Sequence, residues 1–367
     1  MSRFLDRIAA ASIGGLGILL LGGCELGPKQ ATQTGYRGTG LEQIVDVKHI
    51  AKVSLIPPAP YPLPPDGGPT AGESYQNIKV LNGVSKERFD HLMAEISQWV
   101  APPEQGCNYC HNPENLASDE KYTKVVARRM IQMTQNINSR WSSHVKETGV
   151  TCYTCHRGNA VPVNKWALAQ GTPNPGSILG NRHGQNAPEA NVGYASLPSD
   201  PFAAYLNENQ QIRVAGNSPF PSRDHVASIK DAETTYGMMM HVSTALGVNC
   251  TFCHNSQSFR AWNLSRAQRA TAYYGIRMVR DTNENYIGSL QTVFPAYRKG
   301  PHGDPYKVNC TTCHQGISKP LSGVSMIAQA PALKGVSKPT APAEGGPAAA
   351  TNVPAAFNDP QAMTGTK

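Results

Sequence analysis

The chain has 367 residues, of which only 16% are charged and 7% aromatic, against 34 Gly and 29 Pro. That length allows two or three domains, and that composition describes a loop-rich chain with too few aromatics for an ordinary core, so buried bulk has to come from elsewhere. The formal charge of +8 is not gathered into any Lys/Arg run, which argues against nucleic acid as a partner.

Residues 1–23 open with Arg3 and Arg7, continue through an apolar run from Ile8 to Leu21, and close on Gly22-Gly23 before Cys24. A basic start, a short apolar stretch and small residues before the cut are the layout of an export signal. The run is short of the roughly 20 apolar residues that a spanning helix needs. Leu21-Gly22-Gly23-Cys24 resembles a bacterial lipobox, so residues 1–23 are predicted as a lipoprotein signal peptide, with cleavage before Cys24 and acylation of that residue. Several acyl chains anchor a protein stably where one is marginal. The competing reading keeps the leader as a tilted membrane helix with an inert Cys24.

Residues 24–80 form a Pro-rich N-terminal segment, centred on Pro57-Pro58-Ala59-Pro60-Tyr61-Pro62-Leu63-Pro64-Pro65. Pro fixes φ and removes donors, so extended chain lying over a surface is expected here. Two similar halves follow, at 81–160 and 224–319, joined by an irregular segment at 161–223. Residues 320–367, rich in Ala, Pro, Gly, Ser and Thr, are expected to be a disordered tail. Each half reads helix, Cys motif, helix, Cys motif, an internal repeat that outweighs local propensity. The first helix is predicted over 86–100 with Ser85 as its cap and Met93, Ile96 and Val100 on one face. The second covers about 120–138 with Val126, Met130, Met133 and Ile137 aligned. The third covers about 228–246 with Met239, Val242 and Leu246 aligned and Gly247 as its stop. The fourth runs from a Ser265 cap to about 281.

Apart from Cys24, every cysteine lies in one of four C-x-x-C-H segments: Cys107/Cys110/His111, Cys152/Cys155/His156, Cys250/Cys253/His254 and Cys310/Cys313/His314. This spacing lets two thiols add across the two vinyl groups of a haem, while the adjacent histidine comes under the iron as proximal ligand. Zinc sites would need the pairs to combine and would not require a histidine after each one. Four such motifs predict four covalently bound c-type haems. Haem attachment through thioethers takes place outside the bacterial cytoplasm, in agreement with the leader. Losing Arg3, Arg7 and Asp6 takes the charge from +8 to +7, and eight propionates add roughly −8 if all ionise, leaving the holoprotein close to neutral. The fold expected is mainly α with extensive irregular loops, two pseudo-repeated helix–haem-motif pairs packed around four haems.

The sixth iron ligand decides between a carrier, with both axial sites filled, and an enzyme with an open one. Met93, Met130 and Met239 each precede a motif on a helix face and are the candidates for the first three, with Met240 competing with Met239. The fourth motif breaks the pattern. Aligning Gln132-Met133 with Arg277-Met278 puts Gly275 where Met130 stands, and Met278 with Met133 in the core. A histidine must then serve, and His49, His91, His144, His183, His225, His241 and His302 are all open. His144 would join the two halves through iron.

The motifs, their order, the lipobox, the three helix methionines and the crossing histidine together resemble the tetrahaem cytochrome subunit of purple-bacterial photosynthetic reaction centres, over roughly residues 24–320. The resemblance implies axial pairs Met93/His111, Met130/His156, Met239/His254 and His144/His314. It implies an electron-transfer protein, not an enzyme, lipid-anchored on the periplasmic face of the photosynthetic inner membrane. Its partners are then the pigment-binding membrane subunits and a soluble donor, a cytochrome c or a high-potential iron-sulfur protein. The haems would lie in the order third, fourth, second, first outward from the membrane, with Tyr194 the candidate for lying between the third haem and the pigment pair. The residues taken alone leave open a tetrahaem partner of a non-photosynthetic membrane oxidoreductase. An open-site reductase and an all-histidine electron store fit the recurring methionines less well.

Overall fold

In the computed structural model of the chain, the residues described are 28–33, 42–168, 190–198, 200–210, 212, 214 and 228–335. The leader with Cys24, much of the connecting segment including His183 and His225, and everything beyond 335 lie outside them. The architecture is mainly helical with long irregular connections.

The N-terminal part holds more regular structure than its proline content suggests. Strands β1 (Lys29–Gln33) and β2 (Glu42–Asp46) pair antiparallel, Lys29 opposite Asp46 and Gln33 opposite Glu42. Asp46 then caps helix α1 (Val47–Val53), accepting from Lys48 N at 2.8 Å. The Pro-rich run does lie extended over the fold: Arg88 Nε donates to Pro64 O at 3.1 Å and His91 Nε2 to Tyr61 O at 2.9 Å. A single helical turn, α2 (Ala71–Ser74), follows, with Thr70 and Glu73 forming a reciprocal capping box.

Helix α3 (Lys86–Val100) buries His91, Leu92, Glu95 and Trp99, one stripe of a 3.6-residue period. Ser85 occupies the cap position but does not cap, because its hydroxyl donates to Asp66 Oδ1 at 3.0 Å instead. Helix α4 (Tyr122–Arg140) contributes Ile131 to one core and Ile137 to the other, and so links the halves. A short turn, α5 (Ser142–Val145), and the motif turn α6 (Cys152–His156) complete the first half.

In the second half, Ser228 caps helix α7 (Ile229–Leu246), and Gly247 ends it at φ 62°, the left-handed stop that only glycine takes without cost. Helix α8 (Ala267–Asp281) starts with Arg266 as its cap position; Ser265 is turned away, donating to Ala261 O at 2.6 Å. The second core gathers Ile137, Trp166, Phe202, Tyr205, Leu206, Met238, Val242, Ile276, Met278 and Val279, so Met278 is a core residue as expected. The last motif turn is α9 (Cys310–His314).

The expected tail does not begin at 320. Leu321, Met326, Ile327, Ala330 and Leu333 are buried in the first core beside Leu92, Trp99 and Ile131. Gln135 and Asn138 of α4 hold this stretch, donating to Ala332 O and Leu333 O at 2.9 Å each. Its apolar residues follow no helical or strand period because the chain there runs in irregular turns, and composition alone reads such a stretch as solvated. Leu333 is fully buried, so Leu333→Ala is expected to cost about 2–5 kcal/mol, seen as a lower denaturation midpoint at unchanged slope. An unaltered midpoint would remove 320–335 from the core.

Candidate haem sites

The four C-x-x-C-H segments fold in two ways, alternating along the chain. The first and third are 3-10 turns, Gly106–Tyr109 and Cys250–Phe252, closed by His111 N to Cys107 O at 3.0 Å and His254 N to Cys250 O at 2.9 Å. The second and fourth are α-turns, α6 and α9, each started by a capping box: Thr151 N donates to Thr154 Oγ1 at 3.0 Å and Asn309 N to Thr312 Oγ1 at 2.9 Å. Each α-turn leaves through a left-handed residue, Arg157 at φ 50° and Gln315 at φ 51°, and then a glycine, Gly158 or Gly316. Those glycines tie the turns to the long helices: Gly158 N donates to Trp99 O of α3 at 2.9 Å and Gly316 N to Ala245 O of α7 at 2.8 Å.

All four motif histidines share one feature. His111, His156, His254 and His314 each direct Nδ1 at a backbone carbonyl, of Leu116, Asn159, Phe259 and Ile317, at 3.1, 2.8, 3.0 and 3.0 Å. A carbonyl only accepts, so Nδ1 carries the proton and Nε2 keeps its lone pair for a metal. Burial pushes His156 down, and it pushes His314 down to about 4 with help from His144, so both rings are neutral at physiological pH. Burial also pushes Cys152 and Cys310 up to about 12 and Cys253 up to about 11, so these sulfurs are uncharged. A thioether, also uncharged, fits the same apolar surroundings. Among the described residues no three His, Cys, Asp or Glu side chains gather to hold a bare metal ion. The donor set of each motif therefore suits a ligand that brings its own equatorial nitrogens.

Met93, Met130 and Met239 are half-buried on α3, α4 and α7. Their neighbours on α7 have other work: Met238 is fully buried in the second core, and the Met240 methyl lies 3.0 Å from where a Cβ on Gly193 would stand. The fourth motif has His144 in front of it. The two imidazole centroids of His144 and His314 are 6.1 Å apart at 70°. With metal–imidazole bonds of about 2 Å, one iron between two rings holds their centroids roughly 6 Å apart. His144 Nδ1 donates to Thr271 O at 2.8 Å, leaving Nε2 as its ligating atom too. Gly275 makes this arrangement fit. A Cβ there would stand 2.5 Å from His144 Cε1, so the imidazole fills the space that a side chain at 275 would take.

The remaining histidines have other surroundings. His49 Nε2 donates to Gln315 O at 3.0 Å. His91 is buried beside Glu95, 3.6 Å away, whose carboxyl burial pushes up to about 8. His241 is buried with its ring 4.6 Å from that of Phe202. His302 is exposed. Tyr194 is 71% exposed on a loop packed against α7.

The second and fourth motifs meet. Cys155 Sγ and Cys313 Sγ are 2.9 Å apart, bringing together the second cysteine of each. Asn136 Nδ2 donates to Asp281 Oδ2 at 2.8 Å, and the same oxygen accepts from Trp141 Nε1, three residues before His144. Sequence reading passed over Arg157, Asp281 and the two glycine ties. The parallel His-Arg-Gly and His-Gln-Gly after the second and fourth motifs could have signalled Arg157 and the glycines, and the pairing of Asn136 with Asp281 in the helix alignment could have signalled Asp281.

The sequence profile of a family described as "Photosynthetic reaction centre cytochrome C subunit" matches residues 25–334. The chain belongs to that family. Among curated relatives, the photosynthetic reaction center cytochrome c subunit of Rubrivivax gelatinosus (strain NBRC 100245 / IL144) is 50% identical over 330 residues, 89% of this chain and 90% of the relative. That of Thermochromatium tepidum is 46% identical over 317 residues, 86% and 78% of the two chains. That of Roseobacter denitrificans (strain ATCC 33942 / OCh 114) is 38% identical over 361 residues, 90% and 94%. Membership in the reaction centre cytochrome family carries an electron-transfer role and does not favour a non-photosynthetic partner. The matched region starts one residue after Cys24 and ends within the stretch that closes the first core.

Gly275→Ala tests the cradle without reference to any cofactor. The added methyl forces the His144 ring off Thr271 O, and a loss of about 1–3 kcal/mol in stability is expected. A full-strength protein with an unchanged melting point would mean that His144 moves aside freely.

Proposed function

We propose that this subunit carries four covalently bound c-type haems and passes electrons along them from a soluble donor to the photo-oxidised bacteriochlorophyll pair of a reaction centre. Each haem, when bound, supplies a one-electron iron couple whose potential depends on its axial ligands. The observation that carries the reading is common to all four motifs: each histidine gives its Nδ1 proton to a carbonyl and presents Nε2 beside two cysteines. The eight cysteines Cys107, Cys110, Cys152, Cys155, Cys250, Cys253, Cys310 and Cys313 form the thioethers.

For the distal ligands we assign Met93, Met130, Met239 and His144 to His111, His156, His254 and His314. The register of the long helices supports Met239 over Met240. Met93 stands six residues before Trp99, and Met239 six before Ala245, the carbonyls that accept from Gly158 and Gly316. The cradle at Gly275 and the facing rings support His144. These residues would hold each iron from two sides, so the protein's own part would be to bind, orient and insulate the haems, with no iron position left for a substrate.

Two contacts support a pseudo-two-fold relation between the halves. The alignment that pairs Met130 with Gly275 also pairs Asn136 with Asp281, and these two bond to each other. Cys155 and Cys313, the second cysteines of the equivalent α-turns, likewise touch each other. Contact between equivalent residues is what a two-fold axis produces. The order of packing supports the haem order first, second, fourth, third: α3 lies against α6, α6 against α9, and α9 against α7. The third haem is then the one nearest the pigment pair and the first the one nearest the donor, a soluble cytochrome c or a high-potential iron-sulfur protein. The pigment-binding membrane subunits are the partners on the membrane side. The leader supports a lipid anchor on Cys24 at the periplasmic face, and no described helix is long and apolar enough to cross a membrane.

Mass spectrometry of the whole chain is expected to find four haem adducts, and a flash to membranes containing the complex is expected to oxidise haem. Fewer adducts, or no light-induced oxidation, would end this reading. His144→Ala should open a single iron, seen as carbon monoxide binding to one reduced haem in four. Met239→His should lower one potential, because a second imidazole in place of a thioether favours the ferric state, while Met240→Leu should leave all four unchanged. The reverse result would exchange the two methionines.

A further inference from the structure

The α-turns of the second and fourth motifs share their length, their capping box and their left-handed exit, yet they differ in the side chain placed at that exit. Arg157 and Gln315 occupy the same left-handed position, φ 50° and 51°. The Arg157 side chain stays inside. Nη1 donates to Val53 O and Nε to Thr154 O at 3.2 Å, and the guanidinium sits 5.5 Å from the centroid of the Tyr153 ring. Nη2 is buried and has no hydrogen-bond partner. Arg157 follows Cys155 by two positions, and the Cys155 sulfur lies 2.9 Å from that of Cys313. A cation with a spare donor is therefore fixed at the junction of the second and fourth motifs. At the equivalent position Gln315 is neutral, and its backbone carbonyl receives His49.

An arginine keeps its proton even when buried, and an iron gains negative charge on reduction. A fixed cation near two irons favours the reduced state of both, more strongly in a poorly screened interior than in water. We propose that Arg157 sets the potentials of the second and fourth haems, holding both above the values that a neutral residue at 157 would give. This rests on the four-haem assignment above. For the fourth haem the effect opposes the lower potential that two imidazole ligands impose, and so narrows the step between it and its methionine-ligated neighbours. The first and third motifs, in their 3-10 turns, have no residue equivalent to Arg157.

The test is an equilibrium redox titration of the purified complex, each one-electron component assigned by the shift it shows when its own distal ligand is substituted. Arg157→Gln is the informative variant, because glutamine already occupies this left-handed position at 315. The second and fourth haems should each fall by about tenfold in their reduction equilibrium, about 59 mV for one electron, while the first and third stay in place. Arg157→Lys keeps the charge and should recover most of the change. Three results would overturn the proposal: potentials unmoved in Arg157→Gln, all four moved together, or Arg157→Lys displaced as far as Arg157→Gln. Fewer than four one-electron components in the unaltered complex would instead remove the assignment on which the proposal stands.

Discussion

A histidine that is to hold a metal in a fixed direction must first have its other nitrogen engaged, and in this protein a backbone carbonyl engages it every time. For the α-turn motifs that carbonyl lies three residues on, at Asn159 or Ile317, and the chain can return so soon only by passing through a left-handed residue and a glycine. For the 3-10 motifs the carbonyl lies five residues on, at Leu116 or Phe259, and a small loop does the same work. The requirement on one imidazole nitrogen thus sets the local backbone of each site. The glycines it brings in also supply the N–H groups that tie α6 to α3 and α9 to α7. Orientation of the ligand and assembly of the helices are consequences of the same turn.

On the proposed repeat, α8 carries a glycine where α4 carries a methionine, and the surroundings of Gly275 accommodate that exception. Position 275 could not be an alanine without meeting His144, and His144 could not reach His314 past a side chain at 275. The two changes are coupled sterically. Asp281, accepting from Trp141 and Asn136, holds α5 against the same helix that supplies the gap. The histidine is therefore located by its backbone bond to Thr271, by the missing Cβ and by the indole upstream of it. On the proposed ligand set, this is also the one axial bond that crosses between the halves.

Much of this was legible in the sequence because the chemistry is local. The C-x-x-C-H spacing and the methionine-bearing helix faces each lie within one turn or one helix, and the Met130–Gly275 alignment compares two such helices directly. The ligand proposed for the fourth motif is not local: His144 and His314 are 170 positions apart in the sequence, and it was the resemblance that raised His144 well above the other six histidines. Two predicted caps failed for a common reason. Ser85 stands at the cap position and Ser265 one residue before it, and Asp66 and the Ala261 carbonyl take their hydroxyls. Residues 320–335 escaped because burial in irregular chain leaves no period to read.

The N-terminal segment has a role that its proline content conceals. Within seven residues it reaches both α-turns: His49 donates to Gln315 O at 3.0 Å, Val53 O accepts from Arg157, and Leu55 O accepts from the Tyr153 hydroxyl at 2.9 Å. A short continuous stretch of chain, through one side chain and two carbonyls, therefore spans the junction where Cys155 and Cys313 meet. Side-chain contacts alone would let the two turns slide, since sulfur packing has little directionality. A strap bonded at both ends does not, and on the proposed haem order transfer between the second and fourth sites needs a separation that stays constant. The segment that composition describes as surface covering is thus, by its bonds, a clamp across the second and fourth motifs.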